Sequence, residues 1–348
     1  MKRPNVDFVG RFPTWIAISG ALIVLSIAAL AIRGLNLSID FVGGTSFVLE
    51  GITEDVTSQE LRDAAQEAGA GDVTAQLRLE DGEAVGALVR TDELGLGSDE
   101  AVAVQTALEE VTGAQNTEIS FVGGSWGERI SRKAVEALVV FLIVVIAYIS
   151  IRLEFKMAVA AVIALLHDLF ITVGLYALAG FNVSPSTVIA LLTILGYSLY
   201  DSIVVFDRVK ENATGPLATR VRYDQLTNLS MNEVLWRSIN TSMTSLLPIA
   251  ALLVIGSQVF GADTLNDLAL ALFIGMAIGA YSSLFVAGPF LAWWKMREPE
   301  NQRLAERLAE RSGGAAAPVA VAPDEVAAQN APITTEYVRG RGKKKRRR

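Results

Sequence analysis

The chain has 348 residues, of which 51% are hydrophobic and 19% are charged, and its mean hydropathy is +0.40. Soluble domains carry about 25% charged residues, so this composition excludes an ordinary soluble domain and indicates a membrane protein. Cysteine is absent and His167 is the single histidine, which excludes disulfides, thiolate chemistry and a histidine-rich metal site. The formal net charge of -7 conceals a basic C-terminus, because eight of the last ten residues are Lys or Arg.

Six stretches of the sequence are apolar over the length of about 20 residues that a helix needs to cross a hydrocarbon core. The first is followed by RGLNLSID, which is not a small-residue cleavage site, so we expect a retained anchor. The predicted spans are residues 13–32, 134–151, 157–180, 184–206, 231–258 and 267–294. The sequence therefore predicts a polytopic α-helical membrane protein with six transmembrane helices.

Lysine and arginine near the span ends predict the orientation, because these residues are enriched in cytoplasmic loops. Arg129, Arg132 and Lys133 are exceptions, since they cluster at the outer end of the second span. The other span ends place residues 1–12, 207–230 and 295–348 in the cytoplasm. We expect the last of these segments to be a largely disordered basic tail that could contact anionic lipids or the ribosome.

The long connection between the first two spans, residues 33–130, is therefore expected outside the cell. Residues 34–130 contain 19 acidic and 4 basic side chains. LSIDFV and TSFVLE have the pattern of strands, a hairpin is predicted around Asp81-Gly82, and Ser98 is a suitable N-cap for a second helix. The order βαββαβ predicts a ferredoxin-like α+β domain, and none of its acidic residues forms a catalytic pattern.

Two similar segments mark the entry and exit of this external domain. DFVGGTS at 40–46 and SFVGGSW at 120–126 both place two glycines after a predicted strand. Because glycine adopts positive φ readily, we expect tight turns at both places, where the domain meets the membrane. The spacing matches neither the P-loop nor the dinucleotide fingerprint, so nucleotide binding is not predicted.

Asp201 and Arg237 are charged residues inside predicted spans, where a charge is costly and usually functional. Asp201 lies about 9 Å, at 1.5 Å per residue, from the cytoplasmic end of its span. Ser230 and Glu233 have capping-box spacing, which predicts that the next helix begins at Met231 and brings Arg237 to the same depth. We therefore predict an ion pair between Asp201 and Arg237.

Polar side chains extend from both members of this predicted pair. Two such stripes facing each other could hold a chain of waters that serves as a proton pathway. The alternative is that the hydroxyls only pack the helices together and that the ion pair is architectural. The residues predicted to line the pathway are Tyr197, Ser198, Asn240, Thr241, Thr244 and Ser245.

His167 and Asp168 lie near the middle of the third predicted span. Adjacent helix positions point about 100° apart, so we expect that these two side chains do not face one small site. A proton relay and a hydrogen-bonded scaffold both remain open for this pair. The last span carries a ridge of small residues, for which helix packing is the favoured interpretation. That ridge consists of Gly275, Gly279, Ser282 and Ser283.

Together these segments resemble the SecF family, which is related to the resistance-nodulation-division transporters. The resemblance covers about residues 5–297 and is carried by LSIDFVGGT, ALLHD, LLTILGYSLYDSIVVFDRVKEN and RSINTSMTSLLPI. It implies a multi-pass protein of the bacterial plasma membrane with the partners SecD, the SecYEG channel, the SecA motor and translocating preproteins. It further implies that proton-motive force helps to pull preproteins outward, with no cofactor and no catalytic site.

By matching position, the resemblance assigns Asp201 as the protonatable carboxylate and Arg237 as its arginine, and it leaves the basic tail without an assigned role. Two alternatives stay open. One is a proton-driven exporter of a small amphiphile or lipid, and the other is an assembly scaffold of the translocase without proton coupling.

Overall fold

The computed structural model describes residues 5–80, 83–255 and 263–311. The turn predicted at Asp81-Gly82 and the predicted basic tail beyond residue 311 lie outside these residues. In chain order, the elements are α1 (Phe12–Arg33), β1 (Asn36–Leu37), α2 (Ile39–Val42), β2 (Gly44–Glu50), α3 (Ser58–Glu67), β3 (Val73–Glu80), β4 (Glu83–Thr91), α4 (Asp99–Thr112), β5 (Asn116–Val122), α5 (Gly124–Arg152), α6 (Phe155–Ala179), β6 (Asn182–Val183), α7 (Pro185–Thr214), α8 (Tyr223–Ile255), α9 (Asp263–Ser282), a π-helical segment (Ser283–Ala287), α10 (Gly288–Lys295) and α11 (Pro299–Arg311).

Five of the described stretches are long and apolar enough to cross a membrane. They are Phe12–Arg33, Gly124–Arg152, Phe155–Ala179, Pro185–Thr214 and Asn266–Lys295. The last of these runs from α9 through the π-helical segment into α10. Helix α8, which contains most of the predicted fifth span, has 33 residues but is not among the five.

Two helices begin earlier than the sequence predicts. Helix α5 begins at Gly124 rather than near residue 134, and its first turns carry an ion pair between Arg132 and Glu128 at 2.7 Å. Helix α8 begins at Tyr223, so the predicted capping box is wrong. Ser230 lies inside the helix and donates to the Leu226 carbonyl at 2.8 Å. A local Ser-x-x-Glu pattern cannot show whether the chain before it is already helical.

Helix α6 is the most buried of the five candidate spans and packs against α1, α7 and α9. Its small residues permit this close contact. A Cβ added at Gly174 would overlap the side chain of Ser26 on α1. On α9, a Cβ added at Gly275 would overlap Ile194 of α7. The glycine part of the predicted packing ridge therefore does pack helices together.

The domain between α1 and α5 contains a four-stranded antiparallel sheet in the order β3-β4-β2-β5. Its core lies between the sheet and helices α3 and α4, where Phe47, Leu61, Val104 and Leu108 are fully buried. Ser98 caps α4 as predicted, since its Oγ accepts from the Ala101 N–H at 3.1 Å.

The predicted strand LSIDFV is wrong. Residues Ile39–Val42 form the short helix α2, and only Asn36–Leu37 is extended. This two-residue strand pairs in parallel with Asn182–Val183, which joins α6 to α7. The strand pattern fails here because the chain must turn from the membrane into the domain within a few residues.

The two glycine pairs meet each other at this turn. Gly43 and Gly44 have φ values of 83° and 123°, so the tight turn predicted at the domain entry is confirmed. The tight turn predicted at the domain exit is wrong, because Gly123 has a φ of -67° and Gly124 begins α5. A Cβ on Gly43 would lie 2.6 Å from the Gly124 Cα, so the second pair serves close backbone contact.

The N-terminal segment before α1 is bound to α8. The Asn232 side chain accepts from the Val6 N–H and donates to the Val6 carbonyl, both at 2.8 Å. One turn earlier, Asn228 Oδ1 accepts from the Phe8 N–H at 2.8 Å. Phe8 is fully buried, in contact with Phe285.

Candidate functional site

Asp201 lies on α7 where α8 and the π-helical segment converge. Its side chain is buried, with 6% exposure. Ser238 of α8 donates to Oδ1 at 2.8 Å, and Ser283 of the π-helical segment donates to Oδ2. Each carboxylate oxygen therefore has one hydroxyl partner, and the two partners come from two different helices.

The predicted pair between Asp201 and Arg237 is wrong in this structure. Arg237 is exposed, and within the described residues it forms no salt bridge with Asp201. Its neighbour Ser238 occupies that place instead. The predicted depth of the Asp201 partner along α8 is therefore correct to within one residue. One residue, however, corresponds to about 100° of rotation around a helix.

The polar stripe that follows Arg237 also lies on the outward face of α8. Asn240 and Thr244 are exposed. The Thr241 hydroxyl donates to the Arg237 carbonyl at 2.8 Å, and the Thr244 hydroxyl donates to the Asn240 carbonyl at 2.9 Å. Ser245 is half-buried. The two predicted stripes therefore do not face each other, and the structure does not support a water chain between them.

On α7, the two predicted lining residues differ. Tyr197 is half-buried and packs against an apolar cluster that includes Ile194 and Met276. Ser198 is fully buried and donates to Asp168 Oδ2 at 2.5 Å. Ser198 thus serves the second carboxylate of the bundle rather than Asp201.

His167 and Asp168 share one site, contrary to prediction. His167 Nδ1 lies 3.0 Å from Asp168 Oδ1, and both side chains are buried. Local side-chain torsions bring adjacent positions together even though their Cβ directions diverge. His167 Nε2 is buried without a hydrogen-bond partner among the described residues, and the ring stacks on Tyr281 at 6.2 Å between centroids.

Ser282 and Ser283 contact the two buried carboxylates directly, which the sequence does not predict. They were assigned to packing, yet the Ser282 Oγ donates to Asp168 Oδ2 at 2.8 Å, while Ser283 binds Asp201. Both are fully buried. One signal in the sequence could have identified them. The last two members of the ridge are serines, whose hydroxyls can donate hydrogen bonds to the two carboxylates that neighbouring helices bury.

Serine hydroxyls hold both carboxylates, and no described Lys or Arg forms a salt bridge with either. A hydroxyl can donate to a carboxylate and can equally accept from a protonated carboxyl group. The arrangement therefore accommodates both the charged and the neutral form of each aspartate. Within the described residues, no group of three or more His, Asp or Glu could hold a metal ion.

The fold and the site define a class of protein: a polytopic membrane protein with an α+β domain between its first two long helices and two buried, hydroxyl-bound carboxylates. Residues 103–297 match the family model described as protein export membrane protein SecD/SecF, C-terminal. Residues 28–50 match the SecD/SecF GG motif, which contains Gly43 and Gly44.

The chain is 40% identical to the protein translocase subunit SecF of Streptomyces coelicolor, with 98% of this chain and 95% of the relative covered. It is also 40% identical to SecF of Mycobacterium tuberculosis strain H37Rv, with 88% of this chain and 70% of the relative covered. The chain belongs to the SecF family of protein translocase subunits.

Solved structures agree with this assignment. The crystal structure of SecDF, a translocon-associated membrane protein from Thermus thermophilus, matches with a TM-score of 0.74 and 34% identity. That match covers 84% of this chain and 39% of the other. SecDF in its super-membrane-facing form matches with a TM-score of 0.59 and 33% identity, covering 88% and 40%. The chain thus spans about two fifths of these longer chains.

Proposed function

We propose that this chain acts with SecD to convert proton-motive force into late steps of preprotein translocation through the SecYEG channel and the SecA motor. The observation that carries the proposal is the pair of carboxylates, Asp168 and Asp201, which are buried among helices and bound by serine hydroxyls, with no Lys or Arg salt bridge to either among the described residues. An ionisable group inside the membrane lowers stability and is therefore usually functional, and proton relays are among the functions of such residues.

The proposed membrane topology has six spans, with α8 as the sixth beside the five apolar stretches. Helix α8 packs against α7 and α9, so it belongs to the same bundle. Both termini lie on the cytoplasmic side of the bacterial plasma membrane, which the distribution of Lys and Arg supports. The external domain is ferredoxin-like, which its strand order and its two helices on one face of the sheet support.

SecD is the proposed partner at the outward face of α8. A SecDF relative from Thermus thermophilus is 36% identical over 86% of this chain, which supports association of the two sequences. Arg237 and Asn240 are exposed on the isolated chain although they lie within the proposed span. An arginine at such depth is not expected to face lipid. We therefore propose that helices of the partner pack against this face of α8.

The proposed mechanism starts with a proton that binds Asp201 from the outer side. After protonation, one carboxyl oxygen of Asp201 donates a hydrogen bond while the other still accepts one, so either Ser238 or Ser283 must change from donor to acceptor. The contacts of α7 with α8 and the π-helical segment then change together. The pairing of β1 with β6, and helix α5, transmit this change to the external domain, and proton loss to the cytoplasm resets it.

The test is preprotein export in vesicles that carry this chain with SecD and the translocon, with and without a proton gradient. Asp201→Asn should reduce export to the level measured without a gradient, because an amide cannot take up and release the proton. Asp224→Asn is the matched control, since Asp224 is a carboxylate of the same chain bound by Arg222 at 2.6 Å near the start of α8.

Retained gradient stimulation in Asp201→Asn, with normal assembly, would overturn proton coupling at this residue and favour an assembly scaffold. Gradient-driven loss of lipid or a small amphiphile from the vesicles, without any effect on export, would favour an exporter instead.

A further inference from the structure

We infer that Ser282 and Ser283 join Asp168 and Asp201 into one coupled protonation unit, so that the state of one carboxylate sets the proton affinity of the other. This inference rests on the proposed function in treating both carboxylates as groups that take up protons. It goes further by assigning the coupling to two adjacent hydroxyls on a third helix.

The geometry gives these serines a position that no other residue pair in the described chain shares. They are consecutive, yet Ser282 donates to the carboxylate on α6 and Ser283 donates to the carboxylate on α7. Their junction is also where α9 changes to the π-helical segment. Such one-turn π segments are rare and frequently occur at functional sites.

Each serine has a second acceptor within reach on its own helix. The Ser282 Oγ lies 3.2 Å from the Gly279 carbonyl, and the Ser283 Oγ lies 3.3 Å from the Ala280 carbonyl. A hydroxyl has one proton to donate, so it serves either the carboxylate or the carbonyl. When a carboxyl group is protonated and donates to the serine, the hydroxyl proton is free to turn to the carbonyl one turn earlier.

These alternative acceptors, Gly279 and Ala280, are themselves consecutive carbonyls of one helical turn. A hydroxyl that switches to its carbonyl competes with the backbone hydrogen bonds of that turn and bends it. The same turn cannot shift freely, because a Cβ at Gly279 would already lie 3.1 Å from Ser198 Cβ. A change at one serine therefore moves the other, and the two carboxylates are linked through the backbone between them.

The other titratable groups near the two carboxylates are few. His167 contacts Asp168 on α6, Tyr281 stacks on His167 from α9, and Arg237 on α8 is exposed next to Ser238. Direct charge repulsion between Asp168 and Asp201 is the competing explanation for any coupling. The serine variants distinguish the two explanations, because replacing a hydroxyl removes no charge.

The experiment measures carboxyl protonation by infrared difference spectroscopy on the full chain with SecD in lipid nanodiscs, with Asp→Asn variants to assign the bands. Asp168→Asn should change the pH at which Asp201 is half protonated by about one unit, which is tenfold in proton affinity and lies within the range for residues of one hydrogen-bond network. Adding Ser282→Ala should abolish most of this change, and Ser282→Thr, which retains a hydroxyl, should restore it.

Ser283→Ala provides an independent arm from the Asp201 side and should abolish the same change, even if one serine variant fails to assemble. Ser150→Ala is the control, because the Ser150 hydroxyl donates to the Ile146 carbonyl of its own helix, at 2.7 Å, and to no carboxylate among the described residues. A change that persists in both serine variants would mean direct electrostatic coupling and would overturn the inference. Because no transport is measured, this result is independent of whether export is gradient-driven.

Discussion

A carboxylate that is held by hydroxyls differs in one respect from a carboxylate that is held by arginine. An arginine cannot give up its charge, so an Asp–Arg pair favours the ionised aspartate strongly and leaves a buried cation behind on protonation. Ser238 and Ser283 impose no such charge on Asp201. With serine partners, a neutral Asp201 would leave no buried cation behind, which suits the proposed proton uptake and release.

Glu60 provides a pH-dependent test at the level of one residue. Its carboxylate accepts from the Thr57 N–H at 2.7 Å and from the Thr57 hydroxyl at 2.9 Å, which lowers the pKa of Glu60 below its ordinary value of 4.5. A lowered pKa stabilises the folded state above the ordinary value, and this stabilisation is lost as the pH falls through the lower, folded-state pKa.

We therefore expect Glu60→Gln to weaken hydrogen-exchange protection of α3 in the full chain at about pH 7, where the native carboxylate is ionised. The deficit relative to wild type should shrink as the pH is lowered through the Glu60 pKa. Glu67→Gln, at the opposite and exposed end of α3, is the control. A deficit that is independent of pH would show that the capping box does not depend on the charge of Glu60.

The sequence is sufficient to locate the titratable residues inside the helix bundle, but not their hydrogen-bond partners. Asp201 and the His167-Asp168 pair are visible because each is a costly residue in an apolar run. Whether Ser238 or Arg237 contacts Asp201 depends on the rotation of α8 about its axis. The hydrophobic pattern does not determine this rotation, because α8 leaves a polar face exposed on the isolated chain. Ser282 and Ser283 were invisible as partners because serine is equally suited to packing.

At the level of elements, glycines set the distances between helices. A Cβ at Gly174 would overlap Ser26 of α1, whereas a Cβ at Gly196 on α7 would meet no atom within 4 Å. Gly174→Ala should therefore push α1 from α6 and lower stability by about 1–3 kcal/mol, the typical cost of overpacking. Thermal unfolding of the purified chain in detergent measures this effect.

Gly196→Ala is the matched control, because it adds the same methyl group to a helix without a clash. It should leave stability unchanged or raise it by up to about 1 kcal/mol, since alanine has the higher helix propensity. Equal losses in the two variants would indicate that helix propensity or detergent, rather than the α1–α6 contact, controls the result.

Element boundaries were predictable only where the apolar pattern itself ends. Helix α1 follows its apolar run closely, at Phe12–Arg33. Helices α5 and α8 continue beyond their apolar runs on polar, ion-paired turns, so hydropathy marks where they become apolar and not where they begin. The short helix α2 was missed for a related reason, because four residues are too few to show a helical period.

At the level of the whole molecule, a cleft of about 720 Å³ lies between the α+β domain and the long apolar helices. The open face of the sheet forms one wall, and the starts of α7 and α9 form the other. Arg90 of β4 is buried at this junction and donates to the Leu37 carbonyl at 2.7 Å. Burial lowers the pKa of Arg90, whereas the charge of Asp267 on α9 raises it.

We expect Asp267→Asn to loosen this junction, because it leaves the buried Arg90 cation without the nearby negative charge. Hydrogen exchange of the Ser38 amide, which donates to the Val183 carbonyl across the β1–β6 pairing, should become faster. When Arg90→Met is combined with Asp267→Asn, the loss of exchange protection at Ser38 should be smaller than the sum of the two single losses. The reason is that the double variant leaves no unpaired buried charge.

Glu118→Gln is the control, since Glu118 lines the same cleft from β5. If the effects of Arg90→Met and Asp267→Asn simply add, the charges of the two residues do not act together in holding the domain on the helices.

The attachment of Val6 and Phe8 to α8 has a consequence for the order of events during synthesis. These residues leave the ribosome before α1, but their partners Asn232 and Asn228 follow more than two hundred positions later, with separations of 226 and 220 residues. The segment with Val6 and Phe8 therefore cannot bind α8 until four long helices, α1, α5, α6 and α7, have been made. Binding of this segment to α8 is therefore a late step, which requires that most of the helix bundle has been made.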